Sequence, residues 1–206
     1  MNQSEIDLTK LFESVTEVLS KSKDSLNEAD GFNSNHGDNM VEIFKTITKA
    51  VGKKKSDAGE AFAYASDLLK KEHSSGSAAV YAEGLSQAAG AFKSKQVTQE
   101  NVFTLIQALL GGGASATTAP SGDLLGSLLS GLAGAQQANL DEGLDLGDLL
   151  SAGMAFLQAR QEGDTTAETL IQAIVSGGAL GSSTHRSTSG QLVGNTLMEL
   201  LAGLGN

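Results

Sequence analysis

The chain has 206 residues, of which 40% are hydrophobic and 18% charged, with a net charge of −10 and neither Cys nor Trp. This length and apolar content predict one folded domain with a sizeable core. The absence of Cys excludes a disulfide framework, a thiolate zinc site and a cysteine nucleophile. The negative charge argues against a nucleic-acid-binding surface, because phosphate neutralisation needs clustered Lys and Arg.

No signal sequence or membrane-spanning segment is expected. Residues 1–5 lack the basic and apolar regions of a signal peptide. The most apolar stretch, residues 124–135, is broken by Gly and Ser and is much shorter than the roughly 20 residues of a spanning helix. We therefore expect a soluble, cytoplasmic protein that does not bind membranes.

Apolar residues recur at helical spacing along most of the chain. The apolar positions at 6–19 predict a first helix. Asn39 and Glu42 form a capping-box-like pair that predicts the start of a second helix, whose end carries the lysines at 53–55. A third helix is predicted over 56–71, a fourth from 74 through 92, and a fifth from Thr98 to 110, which the glycines at 111–113 end.

The second half of the chain continues the helical pattern. Ser121 is expected to cap a sixth helix with an apolar face over 124–132, and a seventh is predicted over 146–160. Thr165 and Glu168 predict an eighth helix, followed by a long Gly/Ser/Thr loop at 176–189 and a last helix over 190–201. With no strand pattern, the predicted fold class is all-α, a tightly packed helical barrel or bundle, because the many Ala and Gly residues on the helix faces allow close approach.

No conventional phosphate-binding loop, dinucleotide fingerprint or zinc-protease motif is present. Instead, small and polar residues concentrate in four loops directly before predicted helices, at 30–40, 73–77, 120–123 and 183–190. A helix N-terminus attracts anions through its free N–H groups and its dipole. The same residue types are also good helix caps, so this composition alone leaves a purely structural role open. Gathered at one end of a bundle, such loops could hold phosphate groups.

The order and spacing of these loops resemble the nucleotide-binding domain, or L subunit, of dihydroxyacetone kinases over nearly the whole chain. The family motif Gly-Asp-x-Asp-His-Gly-x-Asn-Met is matched by Asn-Ser-Asn-His-Gly-Asp-Asn-Met at 33–40. A Ser-Gly turn before a long helix is matched at 74–76, and a Pro-Gly-Asp turn at 120–123. An Arg-Ser-x-Gly stretch is matched loosely by 185–187 and Gly194.

The resemblance implies an antiparallel barrel of about eight helices that binds ADP or ATP at one mouth, through two Mg²⁺ ions held by three Asp residues. It also implies a dihydroxyacetone-binding K subunit and a phosphotransferase as partners, neither of which is in this chain. The nucleotide and phosphate contacts would come from these residues: His36, Gly37, Asp38, Asn39, Ser74, Ser75, Gly76, Gly112, Gly122, Arg186 and Gly194.

The chain departs from the family at the metal positions. Two of the three Asp positions fall on Asn33 and Asn35, and the third falls on Glu28, or on Asp30 if a short deletion is allowed. Magnesium prefers carboxylate oxygens over amide oxygens. Asp38 adds a carboxylate to the same loop and, together with Asp30, is a candidate ligand pair for one ion.

Three functions follow from this pattern. The first is the ADP- or ATP-binding component of a kinase, with weak or absent phosphoryl transfer. The second is a catalytically degenerate barrel that acts as a regulatory or protein-binding partner. The third is a barrel reused for another small anionic or lipid ligand. Outside the matched loop at 33–40, His73 and His185 are predicted to be exposed polar residues.

Overall fold

The computed structural model describes residues 6–54, 57–111 and 166–203. Within these ranges the chain forms seven α-helices and one short 3₁₀ helix at Ala179–Ser182, with no β-strand, which confirms the predicted all-α class. The helices are α1 (Leu8–Glu28), α2 (His36–Lys53), α3 (Ala58–Glu72), α4 (Gly76–Ala91), α5 (Val102–Gly111), α6 (Thr166–Gly177) and α7 (Thr184–Gly203). The helices predicted over 124–132 and 146–160 lie outside the described residues, and the barrel arrangement stays a prediction.

The start of α2 differs from the sequence prediction. The helix begins at His36, so Asn39 does not cap it but lies inside its first turn, where its Nδ2 donates to Asn35 Oδ1 at 2.8 Å. The capping acceptor comes from α1: Asn27 Oδ1 accepts from the backbone N–H groups of Gly37 at 2.7 Å and Asp38 at 3.2 Å. The free N–H groups at the start of α2 are therefore satisfied by Asn27 on α1, and not by the nearby Asn39 as the sequence predicted.

The predicted boundaries of α3 and α4 agree with the structure to within two residues, whereas α5 begins at Val102, four residues after the predicted cap Thr98. Asp57 Oδ1 accepts from Glu60 N at 2.9 Å to cap α3, and Ser75 Oγ accepts from Ala78 N at 3.2 Å to cap α4. The small residues on α4 do bring helix axes together: a Cβ on Gly84 would lie 2.9 Å from Leu109 Cα on α5. Such contact distances are too short for any side chain larger than hydrogen.

The predicted loop at 176–189 is wrong over most of its length. The 3₁₀ helix occupies part of it, and α7 starts at Thr184, well before the predicted start at Gly190. The Gly/Ser/Thr composition is typical of a loop, but Ser189 and Gly190 are both buried. A Cβ on Gly190 would lie 3.0 Å from Leu180 Cδ1, so small residues are needed here for packing. Tertiary contacts have overridden local propensity.

The core is a continuous apolar cluster to which each of the seven described helices contributes. The phenylalanines 12, 44, 62 and 92 are fully or almost fully buried in it. Direct contacts bring the N-terminal ends of α2, α4 and α7 near the C-terminal end of α1: His36 bonds Ser189, Arg186 lies against Gly76, and Asn27 accepts from Gly37 N. The opposite end carries a cavity of about 320 Å³, lined in part by Ile6, Val51 and Ala58.

Tyr81 on α4 is the polar exception in this core. Its side chain is fully buried against the Phe44 ring, at a centroid distance of 5.1 Å, and its hydroxyl has no hydrogen-bond partner in the described part of the chain. Burial raises the pKa of Tyr81, so the hydroxyl stays protonated. A buried unpaired hydroxyl is unfavourable because it has lost its hydrogen bonds to water.

We expect Tyr81→Phe to increase the free energy of unfolding by about 1 kcal/mol, because it removes the unpaired hydroxyl without changing the packing. Urea denaturation checks this. Tyr64→Phe is the matched control, since Tyr64 is only partly buried, and it should leave stability nearly unchanged. A loss of stability in Tyr81→Phe alone would show that the hydroxyl has a partner in solution.

Candidate functional site

Two histidines join the N-terminal ends of α2 and α7. His36 is 4% exposed, and its Nε2 is hydrogen-bonded to Ser189 Oγ at 2.9 Å. The His36 ring packs edge-on against His185, with centroids 4.6 Å apart. Ser189 is fully buried and donates its hydroxyl proton to the Arg186 carbonyl at 3.0 Å. We call Asp30, His36, His185 and Ser189 the histidine cluster.

Asp30, which lies in the α1–α2 loop, is the acidic member of the histidine cluster. Its Oδ1 accepts from Phe32 N at 3.1 Å and lies 3.9 Å from His185 Nδ1. Burial alone would raise the pKa of Asp30, but hydrogen bonds from the backbone N–H groups of Phe32 and Asn35, together with His185, hold it below its usual range. Asp30 is therefore a buried carboxylate that is ionised at neutral pH.

His36 has the opposite character. Burial, followed by the nearby His185 and Arg186, lowers the pKa of His36 from 6.5 to about 4, although Asp30 acts in the other direction. The ring is therefore neutral at pH 7. The histidine cluster therefore combines a neutral imidazole, that of His36, which is hydrogen-bonded to Ser189, with one ionised carboxylate, that of Asp30.

Arg186 extends from the first turn of α7 to the N-terminal end of α4. A Cβ on Gly76 would collide with the Arg186 guanidinium, whose Cζ would lie 3.0 Å away. Arg186 Nη1 donates to Ser182 Oγ at 3.4 Å, and no carboxylate in the described part of the chain forms an ion pair with it. We call the place where Arg186 meets Gly76 the junction of α4 and α7. The Arg186 cation there adds to the positive dipole ends of these two helices, so the junction favours an anion.

The candidate metal ligands do not converge. Asp38 faces α1, where it accepts from Asn27 Nδ2 at 2.8 Å and lies 3.3 Å from Lys23 Nζ. These hydrogen bonds, from Asn27 and then Lys23, lower the pKa of Asp38. Glu28 is exposed near the C-terminal end of α1. Asp30 is thus the one candidate carboxylate among these that belongs to the histidine cluster.

The two asparagines at the family's Asp positions are also engaged locally. Asn33 Oδ1 accepts from Asn35 N at 3.4 Å, and Asn35 Oδ1 accepts from Asn39 Nδ2 at 2.8 Å. Residues 6–54, 57–111 and 166–203 contain no group of three or more His, Cys, Asp or Glu that could hold a metal ion. The described donors therefore do not fit the two-magnesium site that the resemblance implies.

The other predicted contacts divide between the junction, the core and the surface. Gly37 packs so closely on α1 that a Cβ would collide with the Lys23 carbonyl, and its N–H is taken by Asn27. Gly194 lies in the core, where a Cβ would lie 2.6 Å from Ile171 Cγ2, about 15 Å along α7 from its start by the helical rise. The structure thus does not bring Gly194 to the junction.

Ser74, Ser75 and Gly76 lie together at the start of α4, with Ser74 exposed and Ser75 already used as the cap. Gly112 and Gly122 lie outside the described residues, as does the third predicted loop at 120–123. Of the four loops before helices, the structure therefore brings together the first, second and fourth.

Sequence reasoning missed three contributors to this site. Asn27 was not identified as a cap, and Ser189 was not identified as the partner of His36, which is 153 positions away in the sequence. The prediction that His185 is an exposed polar residue is wrong, because it packs in the histidine cluster. His73 is likewise only partly exposed, with its Nε2 2.9 Å from Thr46 Oγ1. No local pattern signals such pairings.

Comparisons with protein-family models, with curated proteins and with solved structures found no match to this chain. Among the described helices, none combines the length and apolarity that crossing a bilayer requires. The resemblance to dihydroxyacetone kinases therefore stands on the motifs quoted above.

The neutral, buried state of His36 predicts a pH-dependent stability. Between pH 6.5 and about pH 4 the unfolded chain binds a proton at His36 that the folded chain does not. The free energy of unfolding should therefore fall as the pH is lowered through this window, by up to about 3 kcal/mol.

His36→Gln should flatten this decline, because it removes the titrating ring and retains an amide that can bond Ser189. Denaturation midpoints between pH 7 and pH 4 measure the effect, with His73→Gln as the matched control. An equal decline in His36→Gln and the unmodified chain would contradict the assignment.

Proposed function

We propose that this chain binds ADP or ATP through its phosphates at the junction of α4 and α7, in the manner of the nucleotide-binding domain of dihydroxyacetone kinases. We further propose that it transfers phosphoryl groups weakly or not at all. The observation that carries the proposal is the Arg186 guanidinium, held against Gly76 at the start of α4 with no carboxylate partner in the described part of the chain.

The arrangement of the loops supports phosphate binding. Gly76 and Arg186 belong to two of the loops whose composition is compatible with phosphate binding, and the two residues are in contact. A guanidinium recognises phosphate oxygens through several N–H groups in a fixed plane. The start of α4 and the first turn of α7 add partial positive charge at the same place.

The side chains around the α1–α2 loop support the loss of transfer. Phosphoryl transfer depends on metal ions that bridge the β- and γ-phosphates and neutralise the developing charge. Here Asp38 is paired with Lys23, and the positions of two family carboxylates are neutral amides engaged with each other and with Asn39. Asp30 alone offers too few oxygens to hold a magnesium ion in a protein cage.

The same ion pair favours a second candidate, a regulatory role without turnover. A chain that binds nucleotide but does not consume it can report nucleotide levels to a partner, and a K subunit or a phosphotransferase is the partner that the resemblance suggests. The Lys23–Asp38 contact supports this role because the Asp38 carboxylate is paired with Lys23 and is therefore not free to bind a metal ion.

Arg186→Gln should weaken ADP binding by about tenfold to a hundredfold, the range for a lost hydrogen bond to a charged group. Calorimetric titration of ADP without magnesium measures this. Lys49→Gln is the matched control, since it removes an exposed cation near the far end of α2, and it should not change the affinity. No binding of millimolar ADP to the unmodified chain would contradict the proposed function.

Asn33→Asp combined with Asn35→Asp should make ADP binding dependent on magnesium, because it restores two carboxylates at the family's metal positions. The readout is the ratio of ADP affinities with and without magnesium. The control Ser86→Asp with Gln87→Glu adds the same charge to exposed positions on α4 and should leave the ratio unchanged. If the two pairs behave alike, the resemblance at this loop has no functional meaning.

A further inference from the structure

Phe32 is exposed in a way that the fold does not explain. Its side chain is 91% exposed, and no other large hydrophobic residue in the described part of the chain is exposed to a similar degree. It lies in the α1–α2 loop, which contacts the junction through Asp30. An aromatic ring left in water would gain free energy from any ligand that covered it.

The loop holds the Phe32 backbone in a fixed place beside the junction. Phe32 N donates to Asp30 Oδ1 at 3.1 Å, and that same oxygen lies 3.9 Å from His185 Nδ1. His185 directly precedes Arg186 in α7. Phe32 is thus connected, through Asp30 and His185, to the residue that carries the guanidinium.

We propose that Phe32 is the stacking surface for the base of the nucleotide whose phosphates bind at Arg186 and Gly76. This inference rests on the proposed function and adds the residue that contacts the base of the nucleotide. A free phosphate or a sugar phosphate would use Arg186 but would leave Phe32 uncovered. A base has a flat π-face, which stacks on an aromatic ring without requiring hydrogen bonds.

The experiment compares two ligands that share their phosphates and differ in the base. In calorimetric titrations, Phe32→Ala should weaken ADP binding by about thirtyfold, the middle of the range for a lost base–aromatic stack, and should leave pyrophosphate binding unchanged. Arg186→Gln should weaken both ligands. Because Phe32 is exposed, its replacement should not affect folding, which thermal denaturation checks.

A second measurement uses the absence of Trp from the chain. Phe32→Trp creates a single reporter, whose fluorescence ADP should quench by stacking and pyrophosphate should not. Gln87→Trp, at an exposed position on α4, should respond to neither. The proposal is overturned if ADP binds the unmodified chain and Phe32→Ala with equal affinity, or if Phe32→Ala weakens pyrophosphate as much as ADP. If neither ligand binds the unmodified chain, the proposed function fails and this inference fails with it.

Discussion

The hydrogen bond between His36 and Ser189 is the interaction on which the candidate site depends. It joins the first residue of α2 to the first turns of α7, and it is buried from water, where an unpaired ring nitrogen would be strongly unfavourable. Because α7 is fixed at this point, the preceding turn brings His185 against Asp30 and Arg186 against Gly76.

At this end of the bundle the carboxylates of Asp30 and Asp38 are engaged in local contacts, whereas Arg186 has no carboxylate partner among the described residues. Asp30 is ionised and held by backbone N–H groups, His36 is neutral, and Asp38 is turned to Lys23 on α1. Arg186 is thus a cation that no carboxylate in the described residues neutralises, at a place where two helices already present their positive ends. An anion is the natural complement of this arrangement, and an assembled magnesium site is not.

Local signals in the sequence predicted the fold class and the bounds of α3 and α4. The start of α4 was predicted near 74–76 because Ser and Gly before an Ala-rich segment are typical of a helix start, and the structure shows that Ser75 is its cap. The start of α7 was missed because Gly and Ser there serve packing against Leu180, which local composition cannot reveal. The gathering of the first, second and fourth loops was anticipated only as a possibility, since the contacts that produce it join residues as distant as His36 and Ser189.

The most direct test of the account is an amide NMR titration of the ¹⁵N-labelled chain with ADP in the absence of magnesium. If ADP binds at Arg186 and Gly76, saturable shifts are confined to the N-terminal turns of α4 and α7 and to the α1–α2 loop, with Gly76 and Arg186 among the largest. Shifts centred on the opposite end of the bundle, near Val51 and Ala58, would contradict it. So would a spectrum that does not change at millimolar ADP.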